Sequence, residues 1–186
     1  FWISDSLAFV SFIDGQDVGL IKFVYEDQKW SYRDIYRNFP SSIESILGFD
    51  ILNNDTETKI FLGTNVGLLV ADISSNLKDP NNWNREFCCF NDGPIKAMCN
   101  YKDGFAFIYE GERSGVHYIY PELGEFVSEE LNIQLPSVFD NMVFDNENFL
   151  IGIKSKNIYC QKLEFEPLSI NQNLNELIFD LDDNIL

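Results

Sequence analysis

Apolar residues along this chain fall into short runs or strict alternation, broken every few positions by Gly, Asn, Asp, Ser or Pro. No segment carries the three-to-four spacing of an amphipathic helix, so the pattern predicts strands throughout. The clearest unit is Lys59–Asp72, K-I-F-L-G-T-N-V-G-L-L-V-A-D. It is an apolar run, a Gly-Thr-Asn turn, and a second run opened by Gly67 and closed by Asp72. Weaker versions recur on both sides. Phe1–Asp14 can be laid over Ile60–Asp72, with Trp2 on Phe61, Ile3 on Leu62, Ser4 on Gly63 and Ala8 on Gly67. Gly15-Gln16-Asp17 then marks a turn, Gly19–Glu26 a strand, and the alternating Lys29–Ile35 a half-exposed edge strand.

A second unit starts at Ser42–Leu52, passes through the polar Asn53–Thr58 and the central stretch, and returns at Asn82–Phe90 as an expected outer strand after the excursion Ser74–Asn82. A third has Ile95–Tyr101, the Asp-Gly hairpin turn Lys102-Asp103-Gly104, Phe105–Tyr109, the loop Glu110–Gly115, Val116–Tyr120 and Gly124–Glu129. From Pro136 the plan repeats in Val138–Asp145, Phe149–Lys154 and Ile158–Phe165, and Leu174–Leu186 reads as the opening strand of a further unit. The units are thus 1–40, 41–92, 93–135, 136–172 and 173–186. An aromatic anchor, Phe49, Tyr101, Phe144 or Phe179, is expected to close each opening strand, at intervals of roughly 35 to 50 residues, the range of four-stranded propeller blades.

A small sheet cannot shield both its faces, so successive sheets must lean on one another. The expectation is an all-β fold: a β-propeller of about four blade-equivalents, each of four antiparallel strands, belonging to a larger ring. A β-sandwich is the alternative, but it does not require one strand-turn-strand formula to recur. The chain starts at Phe1 and both ends fall inside a unit, so an excised domain or fragment is expected.

Composition changes this picture little. Of 186 residues 45% are apolar and 15% aromatic, which suits a packed core. Thirty acidic against 13 basic side chains give a formal charge of −17. Such a surface repels phosphate backbones and anionic headgroups, so neither nucleic acid nor membrane is an expected partner. No apolar run is long enough to span a bilayer as a helix. Cys88, Cys89, Cys99 and Cys160 contain no Cys-x-x-Cys pair and the chain has one histidine, so buried thiols rather than a zinc site are expected.

Chemistry is sparse. His117 sits mid-strand in V-H-Y-I-Y with no nucleophile motif beside it, and reads as a packed strand residue. The clusters Asp180, Asp182, Asp183, Asn184 and Asp145-Asn146-Glu147-Asn148 lack the glycine and distal glutamate of a calcium loop and read as turns. Phosphate-cradling glycine loops are absent, and no cofactor is expected. In propellers, turns between second and third strands share a face with the connections between blades. A ligand face of Asp5, Ser6, Asn65, Glu112, Arg113, Lys154 and Lys156 is expected there.

Ile60–Asp72 resembles the two-component regulator propeller repeat, whose core runs apolar–Trp–Ile–Gly–Thr, two variable residues, Gly–Leu and a following Asp. Gly63, Thr64, Gly67, Leu68 and Asp72 stand as that pattern asks, and Phe61 replaces the usual Trp. Phe1–Asp14 restores the Trp as Trp2 but has Ser4 and Ala8 for the glycines, and Phe149–Gly152 keeps one glycine. The expected roles are structural: Gly63 for close passage of strands, Gly67 for a positive φ, the aromatic for packing between blades. The resemblance implies a bacterial envelope setting, periplasmic, cell-surface or secreted, as a sensor or protein-interaction module. Similar propellers occur in type IX secretion. It implies a non-enzymatic role with a protein or glycan partner; a propeller hydrolase or lyase acting on glycans is the alternative.

Overall fold

A computed structural model of the protein describes residues 2–40, 43–85, 87, 90–133, 141–144, 149–154, 156–162 and 177–180. The fold is all-β: four antiparallel sheets, and no α-helix among the described residues. Sheet 1 holds β1 (Trp2–Ile3), β2 (Leu7–Asp14), β3 (Asp17–Glu26) and β4 (Lys29–Tyr36). Sheet 2 holds β5 (Ile46–Asn53), β6 (Thr58–Thr64) and β7 (Gly67–Asp72). Sheet 3 holds β8 (Ile95–Tyr101), β9 (Gly104–Tyr109), β10 (Gly115–Glu122) and β11 (Glu125–Glu130). Sheet 4 holds β12 (Asn141–Phe144), β13 (Phe149–Lys154), β14 (Asn157–Lys162) and β15 (Leu177–Asp180). Within each sheet the strands lie in chain order, so every sheet is a simple meander.

The turns explain the meander. Asp27 and Gln28 both have positive φ, as do Leu123 and Gly124, the backbone of a two-residue turn whose twist matches its flanking strands. Gly15 does the same between β2 and β3 at φ 64°. Asp27, Gln28 and Leu123 carry none of the usual glycine signal, and their strands, not their identity, dictate the conformation.

The sheets stack through three apolar layers. Phe9, Leu20 and Tyr36 of sheet 1 pack with Ile60, Leu62, Leu69 and Ala71 of sheet 2. The opposite side of sheet 2, Phe61, Leu68 and Val70, packs with Phe105, Phe107, Tyr109 and Ile119 of sheet 3. Ala106, Ile108 and Tyr118 of sheet 3 then meet Met142 and Leu150 of sheet 4. Sheet 2 is buried on both sides, which is why Ile60–Leu62 and Leu68–Ala71 are continuous apolar runs instead of alternating ones.

The first strands of the sheets touch one another in order, β1 against β5, β5 against β8 and β8 against β12. Asn54, just past the end of β5, donates from Nδ2 to the Gly124 carbonyl at 2.8 Å. Gly124 lies beyond the end of β10, and Ile119 of β10 is level with Phe105 and hence with Asn100 near the end of β8. β5 and β8 therefore run in the same direction. They approach closely: a Cβ on Gly48 would sit 2.5 Å from the Met98 Cβ.

Four details differ from the sequence expectation. Among the described residues of Asn82–Phe90, the expected outer strand is not seen: a 3-10 turn, Pro80–Asn82, leads in, and Asn84 forms an isolated bridge with Val70. Trp83 pulls the segment away: its ring is buried between sheets 1 and 2 and its Nε1 donates to the Leu77 carbonyl at 3.1 Å. Trp2 lies in a first strand, paired with Phe9, whereas Phe61 lies in a second strand. Ser4-Asp5-Ser6 is the turn between β1 and β2, closed by Ser4 N–H to the Leu7 carbonyl at 2.8 Å, so Ser4 and Ala8 do not occupy the places of Gly63 and Gly67. Leu177–Asp180, in the segment expected to open a further unit, pairs with β14 as the outermost strand of sheet 4. Finally, Tyr101 and Phe144 end their strands, but Phe49 lies mid-strand, followed by Asp50–Asn53.

Candidate functional site

The motif residues of the central unit are all engaged in holding it together. Phe61 is fully buried between sheets 2 and 3, its ring meeting those of Phe87, Phe105 and Phe126. A Cβ on Gly63 would sit 2.7 Å from Ile95 Cγ2, so glycine there permits the close passage of sheet 3. Gly67 has φ 117°, and a Cβ would lie 2.3 Å from the Phe90 carbonyl oxygen. Thr64 Oγ1 donates to the Gly67 carbonyl at 2.7 Å and accepts from Val66 N–H, closing the turn from inside. Leu68 is buried and its N–H donates to the Phe90 carbonyl. Asp72 accepts from the Ser74 hydroxyl and N–H, both at 2.7 Å, and these bonds hold its carboxyl below the usual range.

The expected ligand face is brought together in part. Asn65 is in the β6–β7 turn, and its Oδ1 accepts from Glu44 N–H at 2.8 Å and Ser45 N–H at 3.2 Å, tying the turn to the approach of β5. Glu112 and Arg113 are exposed in the β9–β10 loop. The segment Phe90–Asp92 bridges these two turns, since it contacts Gly67 and Leu68 while Asp92 Oδ2 accepts from Glu112 N–H at 3.0 Å. Lys156 is exposed in the β13–β14 turn; Lys154 ends β13, and its side chain lies outside the description. Asp5 and Ser6 do not join them. They are exposed in the turn between first and second strands, at the opposite end of sheet 1 from the β2–β3 turn.

The loop bearing Glu112 and Arg113 is pinned by residues that sequence reasoning took as punctuation or core. The Tyr109 hydroxyl donates to Asp92, and Asp92 N–H donates back to that hydroxyl at 3.1 Å. A Cβ on Gly93 would strike the Glu110 carbonyl at 2.1 Å, so the two loops lie in contact. The Arg113 guanidinium sits 5.7 Å above the Phe90 ring. His117 is buried in β10 beside Phe90 and Phe107, with Nε2 2.7 Å from the Arg113 carbonyl. A carbonyl only accepts, so Nε2 carries a proton toward it; burial lowers the pKa of the ring and so disfavours its charged form. His117 is thus a packed strand residue that fastens a loop. The one legible hint was Asn91-Asp92-Gly93, a turn whose carboxylate can cap a neighbouring loop.

A second buried polar group is Asp50 on β5. Its Oδ1 accepts from Ile51 N–H at 2.7 Å, and the Trp2 side chain also donates to it, linking sheets 1 and 2. Burial raises its pKa to about 6, against the smaller opposing effect of those bonds. At the far end of sheet 3, Tyr118 stacks on Tyr120 and meets Tyr101 edge-on, and the Tyr118 hydroxyl donates to Asp103. Burial raises Tyr101 to about 12.

Among the described residues, no three His, Cys, Asp or Glu side chains gather where one ion could be held. Cys99 and Cys160 are half-buried, and Cys88, Cys89, Asp145–Asn148 and Asp182–Asn184 lie outside the described residues. No helix among the described residues is long and apolar enough to cross a membrane. Neither protein-family models nor curated proteins give a match for this chain.

Proposed function

We propose that the four sheets are consecutive blades of a β-propeller and that the protein is a non-enzymatic binding or scaffolding module. The observation that carries this reading is the contact of first strand with first strand from sheet to sheet, with β5 and β8 running in the same direction. Meandering sheets that pass the chain from outermost strand to the next innermost strand are the plan of a propeller; a sandwich would bring two whole faces together and close. The resemblance of Ile60–Asp72 to the two-component regulator propeller repeat supports the same reading, and with it a bacterial envelope setting as sensor or interaction module.

The binding end is the one holding Asn65, Glu112 and Arg113, because that loop pair is fixed from beneath by Asp92, Tyr109 and His117 and presents exposed charge above. Its partner is a protein or a glycan. The competing role, a glycan hydrolase or lyase, would have to use a buried acid such as Asp50, whose raised pKa is its one supporting feature. A polysaccharide panel separates the two. Retention on a glycan or protein ligand that weakens in Arg113→Ala and produces no reducing ends supports the binding role. Reducing ends that accumulate with time and vanish in Asp50→Asn would overturn it.

A further inference from the structure

His117 holds the loop that carries Glu112 and Arg113 from inside sheet 3. Its side chain is 1% exposed, and Nε2 donates to the Arg113 carbonyl at 2.7 Å. Ring centroids of Phe90, Phe107 and Tyr109 lie 4.7, 5.6 and 6.3 Å from that of the imidazole. The Arg113 guanidinium returns over Phe90, 5.7 Å from its centroid. One imidazole therefore bonds the loop backbone and packs on the aromatic ring that the loop's cation covers.

A second proton on this ring goes to Nδ1 and leaves the Nε2 bond intact, so its effect is a buried charge and not a lost donor. Among the described residues, few groups are placed to meet that charge. Sheet 2 presents the apolar Phe61, Leu68 and Val70 to this layer. The segment before β8 gives Phe90 and Asp92, and β9 gives Phe107 and Tyr109, whose hydroxyl donates to Asp92. On β11, Glu130 is level with His117 and exposed. The loop gives Arg113, a like charge, and the exposed Glu112; Glu110 at its start pairs with Lys96 at 3.0 Å. Burial is the largest effect and disfavours the imidazolium. The carbonyl bond and Glu130 favour it less strongly, Arg113 opposes it, and the pKa falls below its ordinary 6.5.

We infer that His117 is a proton-operated latch: neutral, it keeps loop 111–114 closed, and protonated, it drives the loop away so that water reaches the ring. The loop is the part that yields. Phe90, Phe107 and Tyr109 belong to the core between sheets 2 and 3, whereas Glu112, Arg113 and Ser114 are exposed. Opening returns the ring to water and to its ordinary pKa. Closure is therefore complete above about pH 6.5 and is lost as pH falls through the lower value of the closed state. The consequence for binding rests on the reading of this loop pair as the binding end: acidification displaces Glu112 and Arg113, and a ligand held there is released.

Hydrogen–deuterium exchange on the 186-residue chain tests the latch without any ligand, so its failure is distinct from a failure to bind. Loop residues 110–115 are the reporter, and β9 is the standard for global unfolding. After correction for the intrinsic pH dependence of exchange, the loop is expected to lose protection at least about threefold between about pH 7.5 and about pH 5, while β9 keeps its own. His117 is the chain's one histidine, so its imidazole resonances report the same titration, and the loop transition must share their midpoint. Asp50 also titrates near pH 6, but its protonation stabilises the fold, the opposite sign. His117→Gln retains a donor at Nε2 and cannot take up a proton, so its loop is expected to stay protected at both pH values. If glutamine does not pack there, the shared midpoint alone decides. Loop protection unchanged down to about pH 5 overturns the inference, as does an equal loss in His117→Gln or a midpoint that differs from the imidazole's.

Discussion

Sheets 1 and 2 are built from similar hairpins and differ in what covers them. In sheet 2, β6 and β7 are buried on both sides, and nearly every residue from Ile60 to Ala71 is apolar, glycine or a turn residue with its polar atoms satisfied internally. In sheet 1, the described residues cover β3 and β4 on one side; the other carries the exposed Tyr25, Trp30 and Tyr32, with Lys29, Arg33 and Arg37 around them. The lesson is that a repeat announces itself in sequence where two neighbours constrain it at once. At the places around the turn that Gly63 and Gly67 hold in sheet 2, sheet 1 carries Ile13 and Asp17, where no described neighbour presses on the hairpin.

The largest test of this contrast sets Phe61→Ala against Tyr32→Ala. Phe61 is enclosed by three other rings and its removal leaves a void, so a loss of about 3–5 kcal/mol is expected in urea unfolding. Tyr32→Ala removes a largely exposed ring and should cost less than about 1 kcal/mol in the same measurement. Equal losses would mean that the two sheets are equally covered. The glycines sharpen the point. Gly67→Ala forces a side chain into a left-handed backbone and onto the Phe90 carbonyl, with an expected cost of at least about 2 kcal/mol. Gly15→Ala faces the same kind of backbone but open space, and about 1 kcal/mol is expected, read from the shift in the urea midpoint.

The same contrast explains what could be read in advance. Most strand positions and the structural roles of Gly63 and Gly67 were legible because each is a local demand of backbone or turn. The misplacement of Trp2 followed from matching residue types without knowing which strand precedes which; the Ser4-Asp5-Ser6 turn looks like Gly63-Thr64-Asn65 in polarity but joins different strands. Asn82–Phe90 was expected as an outer strand, yet Trp83 and Phe90 are each buried in a different layer, a tertiary demand that no local pattern records. Half of the site was legible for the same reason. Glu112 and Arg113 sit in an evident loop, but Asp92, Tyr109 and His117, which hold it, meet only when β8, β9 and β10 pair.

Asp50 tests the seam between the two sheets. Its carboxyl has an ordinary pKa of 3.8 in the unfolded chain and about 6 when buried beside Trp2, so folding favours the neutral form. Its contribution is complete below pH 3.8 and is lost as pH rises through about 6, where a charge is left buried between the sheets. Asp50→Asn keeps an acceptor for Ile51 N–H and for Trp2 but cannot ionise. Relative to the wild type, it should gain on the order of 2 kcal/mol between about pH 4 and about pH 7. Urea titrations of both proteins across that window measure the difference, and parallel curves would show that Asp50 ionises without penalty.

The smallest effect belongs to the open side of sheet 1. Arg37 pairs with Asp17 at 3.2 Å and lies 5.4 Å above the Phe12 ring, both in solvent. Phe12 in turn lies across Gly19, where a Cβ would come within 2.6 Å of the ring, so Phe12 and Arg37 together cover the place that this glycine leaves low. Exposed pairs and exposed cation–ring contacts each contribute little, and Arg37→Ala should cost about 0.5 kcal/mol, falling in high salt because added ions screen the pair. Urea unfolding at low and high ionic strength measures it. A salt-independent loss several times larger would mean that Arg37 is covered, and with it the Phe12 side of sheet 1, so that the first two sheets would not differ in the way their exposed and buried residues indicate.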